Sequence, residues 1–355
     1  MTVRRWMIYG AYGYCGRLIA EHAQATGLTP TLAGRNAAKT EELAAALGLE
    51  SRCFGLDDPA AIADALRDVD AVVHCAGPFS TTSKPMIDAC IAAGTHYFDI
   101  TGEAFVFEHA HSAAVNNAAT RADVIICPGI GFDVVPTDCV ARSLSEAMPD
   151  AVTLELAFSG SSLFSPGTAK TMVEGMGLGT WGRRGGRLVR TGLQSRDIDF
   201  GDGPKRSMSI SWGDISTAYF STGIPDITVY IPASPKMISR ARRAQWLRPL
   251  FKLGAVQSFL KSQVDKQVRG PDEEQRTRAV TRVWGEVVDA SGKRLAARLS
   301  TANGYTVTQL APIAIIEYLM ASDAPSGSLT PSMLMGKDFA SSLAGSTPVV
   351  FDAGS

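Results

Sequence analysis

From Arg5 to Ala20 the chain reads RWMIYGAYGYCGRLIA, a strand, a glycine-rich turn and a helix in sixteen residues. Residues 5–9 form a short apolar run, residues 17–25 carry helical spacing, and Gly10, Gly13 and Gly16 stand between them as G-x-x-G-x-x-G. A strand that feeds a helix through such a loop opens a nucleotide-binding βαβ unit. The first turn requires a residue without Cβ, the middle glycine lets backbone approach a pyrophosphate, and the helix amino terminus offers unpaired N–H groups to phosphate. Gly10, Tyr12, Gly13, Tyr14, Cys15 and Gly16 are therefore candidate cofactor contacts.

Outward from this loop, short apolar runs alternate with helical stretches as far as Asp138. The spacing predicts strands at 5–9, 29–33, 51–54, 71–75, 96–100 and 124–127. Helices are expected at 17–25, 40–47, 59–66, 85–93 and 106–119. Six strands with crossover helices read as an α/β fold, a Rossmann-type doubly wound parallel sheet. Beyond Pro149 the period changes to two, as in Val152, Leu154, Leu156 and Phe158, and a hairpin is expected over 280–299. This predicts a second α+β domain on a mainly antiparallel sheet. The boundaries read 1–141 for the dinucleotide-binding domain, 142–305 for the substrate domain, and 306–355 for a helix and tail that return to the first. Pro312 is expected to kink the helix at 305–320 or reset its start.

The second strand ends Leu32-Ala33-Gly34-Arg35, and Lys39 follows one helical turn later. A site for NAD usually places an acid here for the ribose 2′-hydroxyl, whereas Arg35 and Lys39 suit a 2′-phosphate, so the pattern favours NADP. Strand carboxyl ends face the ligand crevice. Cys75, Ala76, Gly77 and Pro78 after strand four, and Thr101 after strand five, are thus further cofactor candidates. Asp133, in the loop after strand six, reads either as a helix cap or as the proton donor that accompanies hydride transfer. Glu103 and Lys170 are the next candidates for that proton.

Composition narrows the function classes. In 355 residues, 34 Lys and Arg balance 35 Asp and Glu, so no overall field draws the chain to nucleic acid, and 45% hydrophobic content argues against disorder. Six cysteines without a C-x-x-C pair read as reduced thiols of a cytoplasmic protein. His109 and His111, two apart on a helix, point in different directions, and no metal is expected. Glycines interrupt the apolar run at the start, which therefore fails as a signal peptide, and the uncharged stretch 305–316 is too short to span a bilayer. Residues 175–187 are rich in glycine and arginine and read as a lid or a mobile surface loop. Residues 236–269 carry nine Lys or Arg against Asp265, interleaved with Met237, Phe259 and other apolar residues. That is a packed amphipathic helix or a peripheral membrane contact.

Three stretches carry a family resemblance: residues 10–16, AGPFSTTSKPMIDACIAAGTHYFDITGE at 76–103, and PGIGFDVVPTDCVA at 128–141. Together they resemble the saccharopine dehydrogenase-like oxidoreductases, in the branch that includes trans-acting enoyl reductases. The resemblance implies an NADP-binding Rossmann domain, a substrate domain with a mixed sheet, and a carboxyl-terminal helix returning to the first domain. Tyr12 and Cys15 stand where relatives commonly have threonine, and no arginine matches the role that an amino-dicarboxylate substrate requires. No Y-x-x-x-K occurs, which argues against short-chain dehydrogenase chemistry. The expectation is an NADP-dependent oxidoreductase acting on a C=C, C=N or C=O group of a small, acyl or lipid-like molecule. A non-catalytic NADP sensor or membrane-associated scaffold, and a saccharopine-type imine reductase, are the alternatives.

Overall fold

The computed structural model describes residues 2–160, 167, 169, 173, 179–244, 251, 253–267 and 273–352. Its strands are β1 (Trp6–Tyr9), β2 (Thr31–Gly34), β3 (Ser51–Cys53), β4 (Ala71–His74), β5 (His96–Asp99) and β6 (Ile125–Cys127), followed by β7 (Ala151–Ser159), β8 (Trp181–Arg184), β9 (Arg187–Arg190) and β10 (Ser195–Asp199). Then come β11 (Pro204–Ile210), β12 (Asp226–Pro232), β13 (Val280–Asp289), β14 (Arg294–Ala302), β15 (Gly327–Ser328) and β16 (Val350–Phe351). The chain divides into two compact units, one made of Met1–Val135 with Gly304–Gly336, the other of Pro136–Asn303 with Lys337–Ser355.

In the first unit the strands are all parallel, in the order β15-β6-β5-β4-β1-β2-β3. This is the Rossmann order, and the direction of winding reverses between β1 and β4, where such folds open a crevice at the strand carboxyl ends. Central strands β1, β4, β5 and β6 are buried along their whole length, as helices on both faces require. Met7, Val72, Tyr97 and Ile126 pack with Ile62, Leu66, Met86 and Ile87 into one core on one side of the sheet.

Local chemistry moves several helix ends away from the apolar pattern. Helix α1 (Tyr14–Ala25) starts directly after Gly13 rather than at residue 17. Helix α2 (Ala37–Leu47) starts early because Asn36 caps it, its Oδ1 accepting from Lys39 N at 3.0 Å. Helix α3 is Pro59–Leu66 and α4 is Phe79–Ala93, which ends at Gly94 in the left-handed region (φ 74°). The single helix expected at 106–119 is two, Ala104–Ala110 and Ala113–Arg121, because the Ser112 side chain accepts from Val115 N and begins a new one. Helix Gly304–Ala321 runs through Pro312, which does not reset its start. Eight of its residues are buried, which offsets a local cost of about 3 kcal/mol for an interior proline.

The second unit has a mixed sheet in the order β10-β11-β12-β7-β13-β14-β16. Here β7 and β12 run parallel, and the other described pairs are antiparallel. The lid or loop expected over 175–187 is corrected for its described residues. Trp181–Arg184 and Arg187–Arg190 form a hairpin closed by Gly185 (φ 54°) and Gly186 (φ 75°), the geometry that a two-residue hairpin turn demands. Gly185 N donates to Asp226 Oδ1 at 2.7 Å and the Arg184 guanidinium to Thr228 Oγ1 at 2.9 Å, anchoring the hairpin to β12. The tail is divided, not returned whole to the first unit. Residues 337–355 cluster with the second unit, where β16 pairs with β14 and Ala340 N donates to Cys139 Sγ at 3.4 Å. Among the described residues, no helix is long and apolar enough to cross a membrane.

Candidate functional site

The glycine loop after β1 is built by contact with its neighbours. A Cβ on Gly10 (φ 81°) would lie 2.8 Å from Ala76 N, and one on Gly16 would lie 2.4 Å from Gly10 O, so neither position admits a side chain. Gly13 is the cap residue of α1, and no side chain caps that end or places an acid in its first turn. The amino terminus of a 12-residue helix thus faces the loop with its backbone donors and positive dipole end, which fits a pyrophosphate.

At the far end of this loop, β2 finishes in buried Gly34 and is followed by exposed Arg35 and Lys39. The Tyr12 ring lies against Gly34, and Lys39 Nζ stands 5.9 Å from its centroid. Tyr9, behind it, donates its hydroxyl to Phe54 O at 3.1 Å, and burial pushes its phenol up to about 12. The end of β2 carries no carboxylate, since Gly34, Arg35 and Asn36 occupy it.

Loops after β4, β5 and β6 meet beside the glycine loop. Cys75 N donates to Tyr9 O at 2.7 Å and extends the β1–β4 register, Ala76 abuts Gly10, and the Gly77–Pro78 peptide is cis. Thr82 holds this turn, donating to Ala76 O at 2.7 Å while pairing with His74 Nε2 at 3.0 Å. Burial lowers His74 to about 3 and keeps it neutral. Glu103 sits at the amino end of α4, Oε1 accepting from Phe79 N at 2.9 Å and Oε2 from Ser80 N at 2.8 Å. Thr101 is buried, and its Oγ1 accepts from Glu103 N at 3.1 Å.

Asp99 joins two of these loops. Its Oδ1 accepts from Thr101 N at 2.9 Å and Gly129 N at 2.8 Å, its Oδ2 takes the Tyr97 hydroxyl at 2.6 Å, and burial raises it to about 6. An Asp followed two residues later by Thr-Gly, as in Asp99-Ile100-Thr101-Gly102, is an Asx-turn signal in the sequence. Asp133 is half-buried, with Oδ2 3.0 Å from where a Cβ on Gly102 would lie, and desolvation raises it to about 7. Its charge is felt by Cys15, whose thiol burial pushes up to about 12, and Cys75 is likewise raised by burial first and Cys15 second. The structure thus gathers Gly10, Cys15, Cys75, Ala76, Thr101 and Asp133 at the carboxyl ends of β1, β4, β5 and β6, with Arg35 and Lys39 after β2. Lys170 lies outside the described residues. No group of three His, Cys, Asp or Glu among the described residues is placed to hold a metal ion.

Residues 6–126 match the family described as the saccharopine dehydrogenase NADP binding domain. The trans-acting enoyl reductase of Mycobacterium leprae is 33% identical over 165 residues, 42% of this chain and 37% of that protein. The chain spans less than half the length of the curated relatives it matches. Among solved structures, saccharopine dehydrogenase (L-Glu forming) from Saccharomyces cerevisiae superposes with a TM-score of 0.62 at 11% identity, covering 99% of this chain and 100% of that one. Homospermidine synthase from Legionella pneumophila, solved with NAD, superposes with a TM-score of 0.64 at 11% identity, covering 98% and 91%. At that identity the likeness shows the fold.

Proposed function

We propose that this chain, which carries an NADP-binding domain of the saccharopine dehydrogenase type, is an NADP-dependent oxidoreductase acting on the C=C bond of an acyl or lipid-like substrate. The NADP arm rests on the uncapped α1 amino terminus and on the acid-free, cationic end of β2. When bound, the nicotinamide supplies the hydride. The observation that carries the catalytic reading is Asp133, a half-buried carboxyl in the loop after β6 that desolvation raises to about 7 and that is suited to deliver a proton to the reacting carbon. Glu103 is the weaker donor, because both its oxygens already receive amides. The enoyl class is supported by the names of the relatives, and the absence of an arginine matched to an amino-dicarboxylate weighs against a saccharopine-type imine.

Single-turnover oxidation of NADPH deuterated at C4, offered with enoyl, imine and carbonyl compounds in turn, tests this reading. Deuterium should appear on one carbon of an enoyl thioester. Oxidation with an imine alone would favour the saccharopine-type alternative, and no oxidation with any class would favour a sensor or scaffold.

A second reading, peripheral contact with anionic lipid, is favoured by helix Pro235–Ala244. Lys236, Ser239, Arg240 and Arg243 are exposed, Met237 beside them is 50% exposed, and Leu253 and Phe259 further along are 53% and 62% exposed. Apolar side chains left in water among cations suit a bilayer surface.

A further inference from the structure

We propose that Tyr12 is a specificity-determining residue for the cofactor, its ring seated in the space left by Gly34 so that Tyr12, Arg35 and Lys39 together receive an adenosine 2′-phosphate. The inference rests on the NADP reading above and assigns the discrimination to a residue of the glycine loop. In a dinucleotide fold of this order, the side chain at the end of β2 reads the ribose, commonly as an acid. Here that position has no side chain to offer. A Cβ built on Gly34 would lie 2.6 Å from Tyr12 Cε1, 3.2 Å from Cδ1 and 3.1 Å from Thr40 Oγ1, so the phenol ring makes the tightest approach to the volume that a β2 side chain would fill.

The exchange changes the chemistry at the ribose. An acid at this place accepts from a 2′-hydroxyl and repels a 2′-phosphate. Tyr12 instead brings a neutral ring and an O–H donor, with Lys39 Nζ 5.9 Å from the ring centroid and the exposed Arg35 one residue beyond Gly34. Asn36 is committed to the α2 cap through Lys39 N. A cation held over a ring face and a guanidinium are suited to a dianion and have no counterpart for an uncharged hydroxyl. Gly34 and Tyr12 act together: the glycine leaves the place that the ring takes, with Thr40 Oγ1 beside it.

That dependence makes the test a double-mutant cycle read as binding. Tyr12→Thr, Tyr12→Phe, Gly34→Ala and the double variant Gly34→Ala with Tyr12→Thr are titrated calorimetrically with 2′,5′-ADP and with 5′-AMP, after unfolding midpoints show each variant folded. Tyr12→Thr should weaken 2′,5′-ADP about tenfold and 5′-AMP less than threefold, with Tyr12→Phe falling between wild type and Tyr12→Thr. Gly34→Ala should weaken 2′,5′-ADP at least threefold in the wild-type background and clearly less when Thr is at position 12, where only the Thr40 Oγ1 contact is left. Equal losses for both nucleotides on Tyr12→Thr, or the same Gly34→Ala effect in both backgrounds, would overturn the proposal. If wild type itself binds the two nucleotides alike, the NADP reading fails. If wild type discriminates and Tyr12→Thr keeps the ratio, the role of Tyr12 alone fails.

Discussion

The Glu103 carboxylate meets the amide of Phe79 at 2.9 Å and that of Ser80 at 2.8 Å, so a residue from the loop after β5 caps helix α4 where Pro78 has no side-chain donor or acceptor. Removing a cap of this kind costs about 0.5–2 kcal/mol. Glu103→Ala should therefore lower stability by about that amount in urea denaturation, and Glu103→Gln, which keeps an acceptor, by less. Loss of turnover in Glu103→Gln with unchanged stability would instead make Glu103 the proton donor.

Asp133 predicts a pH dependence with a definite sign. Burial raises its carboxyl from 3.8 to about 7 in the folded chain, so the stabilisation tied to the protonated form is complete below pH 4 and is lost as pH rises through 7. Asp133→Asn cannot ionise and should gain on wild type across that window, by about 1–3 kcal/mol at pH 8, since each tenfold in proton affinity is about 1.4 kcal/mol. Urea midpoints at pH 4.5, 6 and 8 measure it. Turnover by the same variant should fall about 10²- to 10⁴-fold, and a wild-type rate that declines above pH 7 should become flat.

Thr308, on helix Gly304–Ala321, sets the turn that presents Asp133. Its Oγ1 accepts from Phe132 N at 3.0 Å and donates to Gly304 O at 2.9 Å, and its side chain lies 3.1 Å from where a Cβ on Gly131 would be. Thr308→Val keeps the shape and deprives the Phe132 amide of this acceptor, which should cost about 1–3 kcal/mol in denaturation. Thr308→Ser should lie within about 1 kcal/mol of wild type.

Lipid contact has a direct readout. Cations near an anionic surface contribute about 1 kcal/mol each and are screened by salt. Sedimentation with phosphatidylserine vesicles at low salt should carry the protein down, neutral vesicles should not, and Lys236→Glu with Arg240→Glu should abolish the difference. Equal sedimentation with both vesicles would reduce helix Pro235–Ala244 to an ordinary solvated surface.

What was legible in the sequence was chemistry local along the chain. Gly10 and Gly16 are glycine because backbone passes within 3 Å of where Cβ would be, and that leaves a mark at fixed spacing. The run Gly34-Arg35 was readable for the same reason, since the two are neighbours at one strand end. The roles of Glu103 and Thr308 were not, because their partners lie 24 and 176 residues away and nothing in either segment marks the pairing. Strand β15 is two residues long, too short for any period, and exists because Gly327 N donates to Val124 O at 2.8 Å and Leu329 N to Ile126 O at 3.0 Å beside β6, while Asn116 Oδ1 accepts from Ser328 N at 2.8 Å. The hairpin at 181–190 was marked by Gly185-Gly186 between two short strands, a signal masked by its four arginines.

Equilibrium titration of NADPH and NADH against wild type and Arg35→Ala measures whether the end of β2 reads a 2′-phosphate. Wild type should prefer NADPH. Arg35→Ala should weaken NADPH at least tenfold, as expected for loss of a charge-assisted contact of about 1.5–3 kcal/mol, and leave NADH nearly unchanged. Equal affinity of wild type for the two nucleotides would mean that Arg35 and its neighbours do not select NADP.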